Sequence, residues 1–184
     1  MGRRPTIDRD QVLALAETIV SEHGAAALTI DAVAKAAGIS KGGVQSCFGT
    51  KEAMIRAMLD RWLQDYAVKF DQLLRDRSED LPTRVGAHVD LSLVADVAGT
   101  KRSATLFAAL VQNPDQLEAI RDWYAERFAG LFEAEGWGRP LRVALLATEG
   151  AVLLRHLGLA TLSDAQWATI HDDIESLIPR PKTD

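Results

Sequence analysis

Residues 29–48, TIDAVAKAAGISKGGVQSCF, constrain this chain more than any other stretch. They read as two short helices joined by a tight turn. Ala34 is small enough to let one helix cross the other closely. Gly38 can take the positive φ that such a turn needs and that a Cβ penalises. Val33, Ala37, Ile39, Val44 and Cys47 supply one apolar side, and Thr29 and Ser40 stand where a hydroxyl can cap the free N–H groups of a helix start. A unit of this kind places its second helix in the DNA major groove.

Two short helices about a glycine are common, so the flanks decide how much weight the pattern bears. Ahead of it lies an amphipathic helix over residues 8–23, with Val12, Leu15, Ala16, Ile19 and Val20 in one stripe and Gly24 as its stop. Behind it Thr50 caps a helix over residues 51–77, whose Met54, Ile55, Met58, Leu59, Trp62, Tyr66, Phe70 and Leu74 recur at three and four. Residues 77–82, RSEDLP, are a polar break. Further helices are predicted over residues 82–97, 100–112, 113–135 and 140–160, and from the Ser163–Gln166 capping box to residue 178. No strand pattern occurs. The expected fold is all-α with about nine helices: a three-helix reader in residues 1–52, and a helical part for ligand binding and dimerisation in residues 53–184, the fourth helix linking them.

The net charge of −5 on 184 residues argues mildly against a nucleic-acid partner. Its distribution softens that objection. Residues 1–51 hold six Lys/Arg against five Asp/Glu, whereas the remainder holds 15 against 21, and the local charge is what meets phosphate. No apolar run approaches the roughly 20 residues of a membrane span. MGRRPTIDRDQ lacks the apolar core of a signal peptide. A cytoplasmic protein with no membrane partner is expected. The single cysteine excludes an internal disulfide framework. His88, His156 and His171 are too widely spaced for a recognisable metal set, so no metal and no cofactor is expected.

The segment LTIDAVAKAAGISKGGVQSCFGTKEAM, residues 28–54, resembles the TetR family of bacterial transcriptional regulators, and the likeness extends over about residues 8–66. The resemblance implies a homodimer on a palindromic double-stranded DNA operator, with a small-molecule inducer that releases a repressor. Residues expected at DNA are Arg4 in the basic arm, Thr29, Ser40, Lys41, Gly42, Gly43, Gln45, Ser46 and Lys51. Glycines at 42 and 43 weaken a helix start by roughly 1 kcal/mol each; the resemblance favours reading them as room for close backbone approach. Lys51 opposes the dipole at the start of its helix, a mild cost that makes sense if it grips phosphate as its family counterpart does. Gln45 stands where the family usually has Tyr, and Cys47 where it usually has His, so the operator cannot be carried over. Gln suits the N6/N7 edge of adenine. Cys47 is either a small packed residue or a redox-sensitive thiol.

The helix over 140–160 carries Val143, Leu146, Ala147, Gly150, Ala151, Leu154 and Leu157. It is too apolar to face water on most sides. It is either buried in one subunit or part of a dimer interface with the last helix; the resemblance points to the interface. Trp62, Tyr66, Phe70, Phe107, Trp123, Tyr124 and Phe128 are either core or the walls of an apolar ligand pocket, with His88 and Glu149 among its polar anchors. A buried Glu149 would favour a lipophilic cation. An all-helical enzyme or a protein-interaction module remain alternatives, though no nucleophile elbow, phosphate loop or metal motif supports catalysis.

Overall fold

The computed structural model describes residues 8–93 and 117–179. Among these residues there are eight α-helices, a 3-10 turn at Ala25–Ala27 and no strand, so the chain is all-α as its periodicity predicts. In order the helices are α1 (Arg9–His23), α2 (Ile30–Ala37), α3 (Lys41–Phe48), α4 (Lys51–Leu74), α5 (Leu81–Leu93), α6 (Leu117–Arg127), α7 (Gly138–His156) and α8 (Asp164–Glu175). The helix expected over 100–112, and the Asn113-Pro114 opening of the next, lie outside the described residues. The described chain packs as two compact units, residues 8–63 and residues 64–93 with 117–179, dividing inside α4.

The first unit folds as its local signals say. Asp8 caps α1 by accepting from the backbone N–H groups of Asp10 and Gln11. Thr29 and Ser40 accept from Ala32 N–H at 3.0 Å and Gly43 N–H at 3.1 Å, and Thr50 does the same for α4 through Ala53 N–H at 3.1 Å. Gly38 sits in the left-handed region at φ 65°, closing α2. Ala34 is buried where the helices cross. Val12, Leu13, Ala16, Val33, Val44, Phe48, Met54 and Met58 form one apolar core. Arg61 clamps α4 to α1, through Glu17 at 2.8 Å and the Asp10 carbonyl at 3.3 Å.

In the second unit α5 packs on α7 and α8 around Val85, Val89, Leu141, Leu145, Trp167 and Ile174. The buried Trp167 indole N–H donates to the Leu93 carbonyl at 2.9 Å. The Ser163–Gln166 capping box opens α8 as expected. Several boundaries differ from the sequence reading. Helix α4 ends at Leu74 rather than residue 77, because the residues that follow are all polar and offer nothing to bury. Helix α6 stops at Arg127 rather than continuing to residue 135. Gly130 takes φ 82°, and the turn carries both Phe128 and Leu131 into the core. Gly138, which lies between the two helices predicted over 113–135 and 140–160, instead begins α7: a Cβ there would lie 2.5 Å from that of Ala134. Helix α7 ends at His156 rather than residue 160, and α8 at Glu175, followed by 3-10-type bonds to Leu177 and Ile178. Among the described residues no helix is long and apolar enough to cross a membrane.

Candidate functional site

Two sets of side chains stand out, one in each unit. In the first, the two faces of α3 separate by polarity. Val44 and Phe48 are buried, whereas Gln45 and Ser46 are exposed together with Lys41 and Gly42. Thr29 and Ser40 are exposed at the starts of α2 and α3, and Gly43 and Lys51 are half-buried. The capping bonds hold these starts in place, so the free N–H groups of two helices and the outward side of α3 share one polar surface. Lys41 Nζ lies 2.6 Å from Asp31 Oδ2, both groups largely exposed. A Cβ on Gly42 would meet only Ser40 Oγ, at 3.9 Å. Nothing inside the protein therefore requires glycine at that position. Arg4 lies outside the described residues.

Arg9 is a member of this surface that the sequence did not reveal. Its guanidinium stacks 4.8 Å from the centre of the Phe48 ring, and its Nε–H donates to the Cys47 carbonyl at 3.4 Å. The two residues are 38 positions apart, and no local pattern links them. Cys47 is half-buried against the core.

The second set surrounds His88, whose side chain is only 4% exposed. Its Nδ1 lies 2.7 Å from the Tyr66 hydroxyl, and its Nε2 lies 2.7 Å from Glu149 Oε1. Tyr124 donates to the same Oε1 at 2.6 Å. Tyr66, Trp123, Tyr124 and Phe128 enclose the imidazole with ring centroids 5.2–6.3 Å away. Phe70 stacks on Tyr66 at 6.3 Å. Arg127 lies over Trp123 and Phe70, at 4.5 and 5.5 Å. Four helices contribute, so residues from 66 to 149 meet at one place. Glu149 keeps 30% of its side chain exposed.

This environment fixes the phenols as neutral hydrogen-bonding groups. Burial drives Tyr66 well above the ordinary phenol range, against the pull of a Ser92 hydrogen bond, and the Glu149 charge adds to the rise. Burial, then the charge and hydrogen bond of Glu149, drive Tyr124 still further up. Among the described residues the buried Trp123 Nε1 and Arg127 Nε have no acceptor.

Of the residues predicted for a pocket, Tyr66, Phe70, His88, Trp123, Tyr124 and Glu149 are thus brought together. Trp62 packs on the core of the first unit, and Phe107 lies outside the described residues. Arg127 was missed, although its i, i+4 spacing from Trp123 is a usable signal. An open groove of about 550 Å³ lies elsewhere in the unit, lined by Arg77, Asp80, Thr83, Gly86, Asp90 and Glu175 among others. At its edge His171, Asp172 and Glu175 come within 4.8 Å of one another.

A capped helix-turn-helix with an exposed polar face, carried on a chain with a second helical unit, defines a DNA-binding transcription regulator. The comparisons agree and narrow the class. Residues 12–58 match the family described as bacterial regulatory proteins, tetR family, and residues 82–179 match the tetracyclin repressor-like C-terminal domain. The chain belongs to the TetR family of transcriptional regulators. No match to a curated protein is found.

Solved structures show the same fold over nearly the whole length. A transcriptional regulator from Rhodococcus sp. Rha1 superposes with TM-score 0.71 at 20% identity, covering 93% of this chain and 95% of that one. The multidrug binding protein EbrR, solved with imidazole, gives 0.65 at 22% identity, covering 98% and 99%. The fatty acid degradation regulator FadR from Bacillus halodurans gives 0.66 at 14% identity, covering 97% and 96%. At these identities the likeness is one of fold.

Proposed function

We propose that this regulator is a cytoplasmic repressor, dimeric on a palindromic operator, and released by a small apolar molecule that carries positive charge. The reader comprises residues 1–52, and residues 53–184 bind ligand and dimerise. Gln45 and Ser46 meet base edges. Arg4, Thr29, Ser40, Lys41 and Lys51 hold phosphate, and Gly42 and Gly43 bring the α3 backbone close to the duplex. The exposed polar face of α3 supports this half of the reading.

The observation that carries the ligand half is the Glu149 carboxylate, partly open and set among Tyr66, Trp123 and Tyr124. Aromatic faces attract cations, most strongly where water is excluded, and a carboxylate among them adds a full opposite charge. EbrR, which shares the fold, has been solved with malachite green and with ethidium, both aromatic cations. Tyr66 and Phe70 lie on α4, which also carries Met54 and Met58 of the reader core. A ligand that displaces those aromatics shifts α4, and the two readers of a dimer then no longer match operator half-sites about 34–36 Å apart. A release of this kind needs a differential affinity for the two states of typically 1–3 kcal/mol.

Dimerisation is supported by α7. One side of it, Leu141, Ala144, Leu145 and Thr148, is buried within the unit. The other side leaves Val143, Leu146, Leu153 and Leu154, with Leu157 just past the helix end, between 42% and 61% exposed. An aliphatic stripe of this length on a monomer calls for a partner, and a twofold pairing with α8 covers it. A gel shift on DNA from upstream of its own gene tests the whole reading. Retardation by a dimer, reversed by malachite green in the unaltered protein and not in Glu149→Gln, is the expected result; no retardation of that DNA, with or without ligand, overturns it.

A further inference from the structure

The Glu149 cluster already contains a cationisable group where a cationic ligand would dock. His88 is almost completely buried, and both of its ring nitrogens are engaged at 2.7 Å. Its neighbours suit either protonation state. With a proton on both nitrogens, Nε2–H donates to Glu149 and Nδ1–H donates to Tyr66, whose own hydroxyl proton turns to Ser92, the other group bonded to it. With Nδ1 bare, the Tyr66 hydroxyl rotates and donates to it, while Nε2–H stays on Glu149. Neither state leaves a buried polar atom of the imidazole without a partner. That reversibility is unusual, because a buried group ordinarily satisfies only one of its forms. Tyr124 donates to Glu149 in both.

Resting on the proposed cation-binding reading, we infer that the site exchanges one proton of His88 for each monocation it takes up. Unliganded, an imidazolium beside the Glu149 carboxylate makes the pair neutral. A cation seated on the same carboxylate meets that imidazolium at short range in a medium of low dielectric, where like charges repel strongly. Loss of the Nδ1 proton to solvent removes the repulsion and leaves carboxylate, neutral imidazole and ligand cation, again neutral overall. Around His88 among the described residues, its own helix α5 carries Ser92 and, one turn before His88, Arg84; α4 contributes neutral Tyr66, α7 contributes Glu149, and α6 contributes neutral Tyr124. Arg127, also on α6, lies over the Trp123 and Phe70 rings and acts on Tyr66 through its charge. Both guanidinium charges are present with or without ligand, so the exchange is balanced against an unchanged background.

The sign follows from mass action. The complex holds fewer protons than the free site, so affinity for a monocation rises with pH, by up to about tenfold per unit, wherever the free site holds the extra proton. An uncharged ligand of similar shape gains nothing. Ligand chemistry and acidity are thereby read by one group.

Calorimetry of the full chain with ethidium, repeated in phosphate and Tris at one pH, counts the protons released. Release of roughly one proton, with affinity climbing as pH rises and both effects lost in His88→Gln, is the expected result. Ethidium that binds through Glu149, weakening in Glu149→Gln, but with a flat pH profile or with proton uptake overturns the exchange and leaves the cation reading standing. Release that persists in His88→Gln assigns the proton to another group and also overturns it. Ethidium that does not bind, or that ignores Glu149→Gln, overturns both. Nitrogen-15 shifts of the His88 ring in the unaltered protein give a second measurement independent of how the variants fold. The Nε2–H neutral tautomer must appear on ligand binding; an imidazolium that survives saturation refutes the exchange.

Discussion

The two units solve the same packing problem in opposite ways. The first unit, residues 8–63, closes on an apolar core that includes Val12, Leu13, Ala16, Phe48, Met54 and Ile55, and keeps polar groups at helix starts and on the outer side of α3. The second unit buries a histidine and sets two tyrosines and a carboxylate around it, at the centre of its aromatic residues. A surface that must match a rigid duplex needs a fixed scaffold behind it. A site that must respond to a ligand needs polar partners that can be exchanged. Apolar packing supplies the first, and on the proposed reading the hydrogen-bond chain through His88 supplies the second.

The largest effects test that contrast directly. Leu13→Ala in the reader should cost about 2–5 kcal/mol, since a 2% exposed leucine leaves a cavity that a rigid core cannot fill. His88→Leu should cost about 1–3 kcal/mol for a different reason: Glu149 and Tyr66 each lose a partner while volume is kept. Adding Glu149→Leu and Tyr124→Phe to His88→Leu, which removes the polar groups left without partners, should then recover most of the loss, whereas no second apolar substitution rescues Leu13→Ala so simply. Urea denaturation of the four proteins measures this, and a triple variant no better than His88→Leu would erase the distinction drawn between the two cores.

Next in size are the DNA contacts. Gln45→Ala should weaken operator binding by about 1–3 kcal/mol and relax discrimination at one base pair. Lys51→Ala should weaken all sequences alike and lower the salt slope by about one. Binding titrations at several salt concentrations on operator and scrambled DNA separate the two outcomes; a sequence-independent loss for Gln45→Ala would remove it from base reading.

Gly42→Ala sharpens the comparison further, because stability and function should move in opposite directions. The added methyl finds open space within the protein and improves helix propensity by up to about 1 kcal/mol. In the proposed docking the same methyl stands toward the duplex, so operator affinity should fall. Unchanged affinity in a stabilised variant would show that the backbone does not approach the duplex there.

The smallest effect concerns Asp80, at the start of α5. Burial would raise its carboxyl, but hydrogen bonds from the Thr83 backbone, from Ser78 and from the Thr83 side chain, with the Arg84 charge, outweigh that and hold it below the ordinary range. A lowered folded value means stability that is present above the unfolded value, about 3.9, and lost as pH falls through the folded one. The group is mostly exposed, so the loss should be a fraction of a degree to a few degrees in Tm below about pH 4. Asp80→Asn should remove that acid dependence, and an unchanged acid limb in the variant would refute it.

How much of this was legible beforehand differs between the units for a physical reason. The Thr29, Ser40 and Thr50 caps, the Gly38 turn and the split of α3 into Val44/Phe48 and Gln45/Ser46 are local, set by residues within four positions of each other. They are written directly into spacing. The Arg9–Phe48 contact is not, because nothing between the two residues encodes it. In the second unit the aromatic residues and Glu149 could be named as candidates, but not that His88 would bridge Tyr66 and Glu149. The ends of α4, α6 and α8 were also misjudged, since helix termini depend on which apolar residues the core still accepts. Gly130 and Gly138 act there through packing rather than propensity.

The sequence by itself determined an all-helical chain and a capped helix-turn-helix near its start with one polar face on its second helix, because short-range periodicity and capping suffice for those. Only the tertiary structure decided that His88, Tyr66, Tyr124 and Glu149 form a single buried chain of hydrogen bonds. Residues far apart in sequence meet only when α5 packs on α7, and burial changes what their polar groups can do.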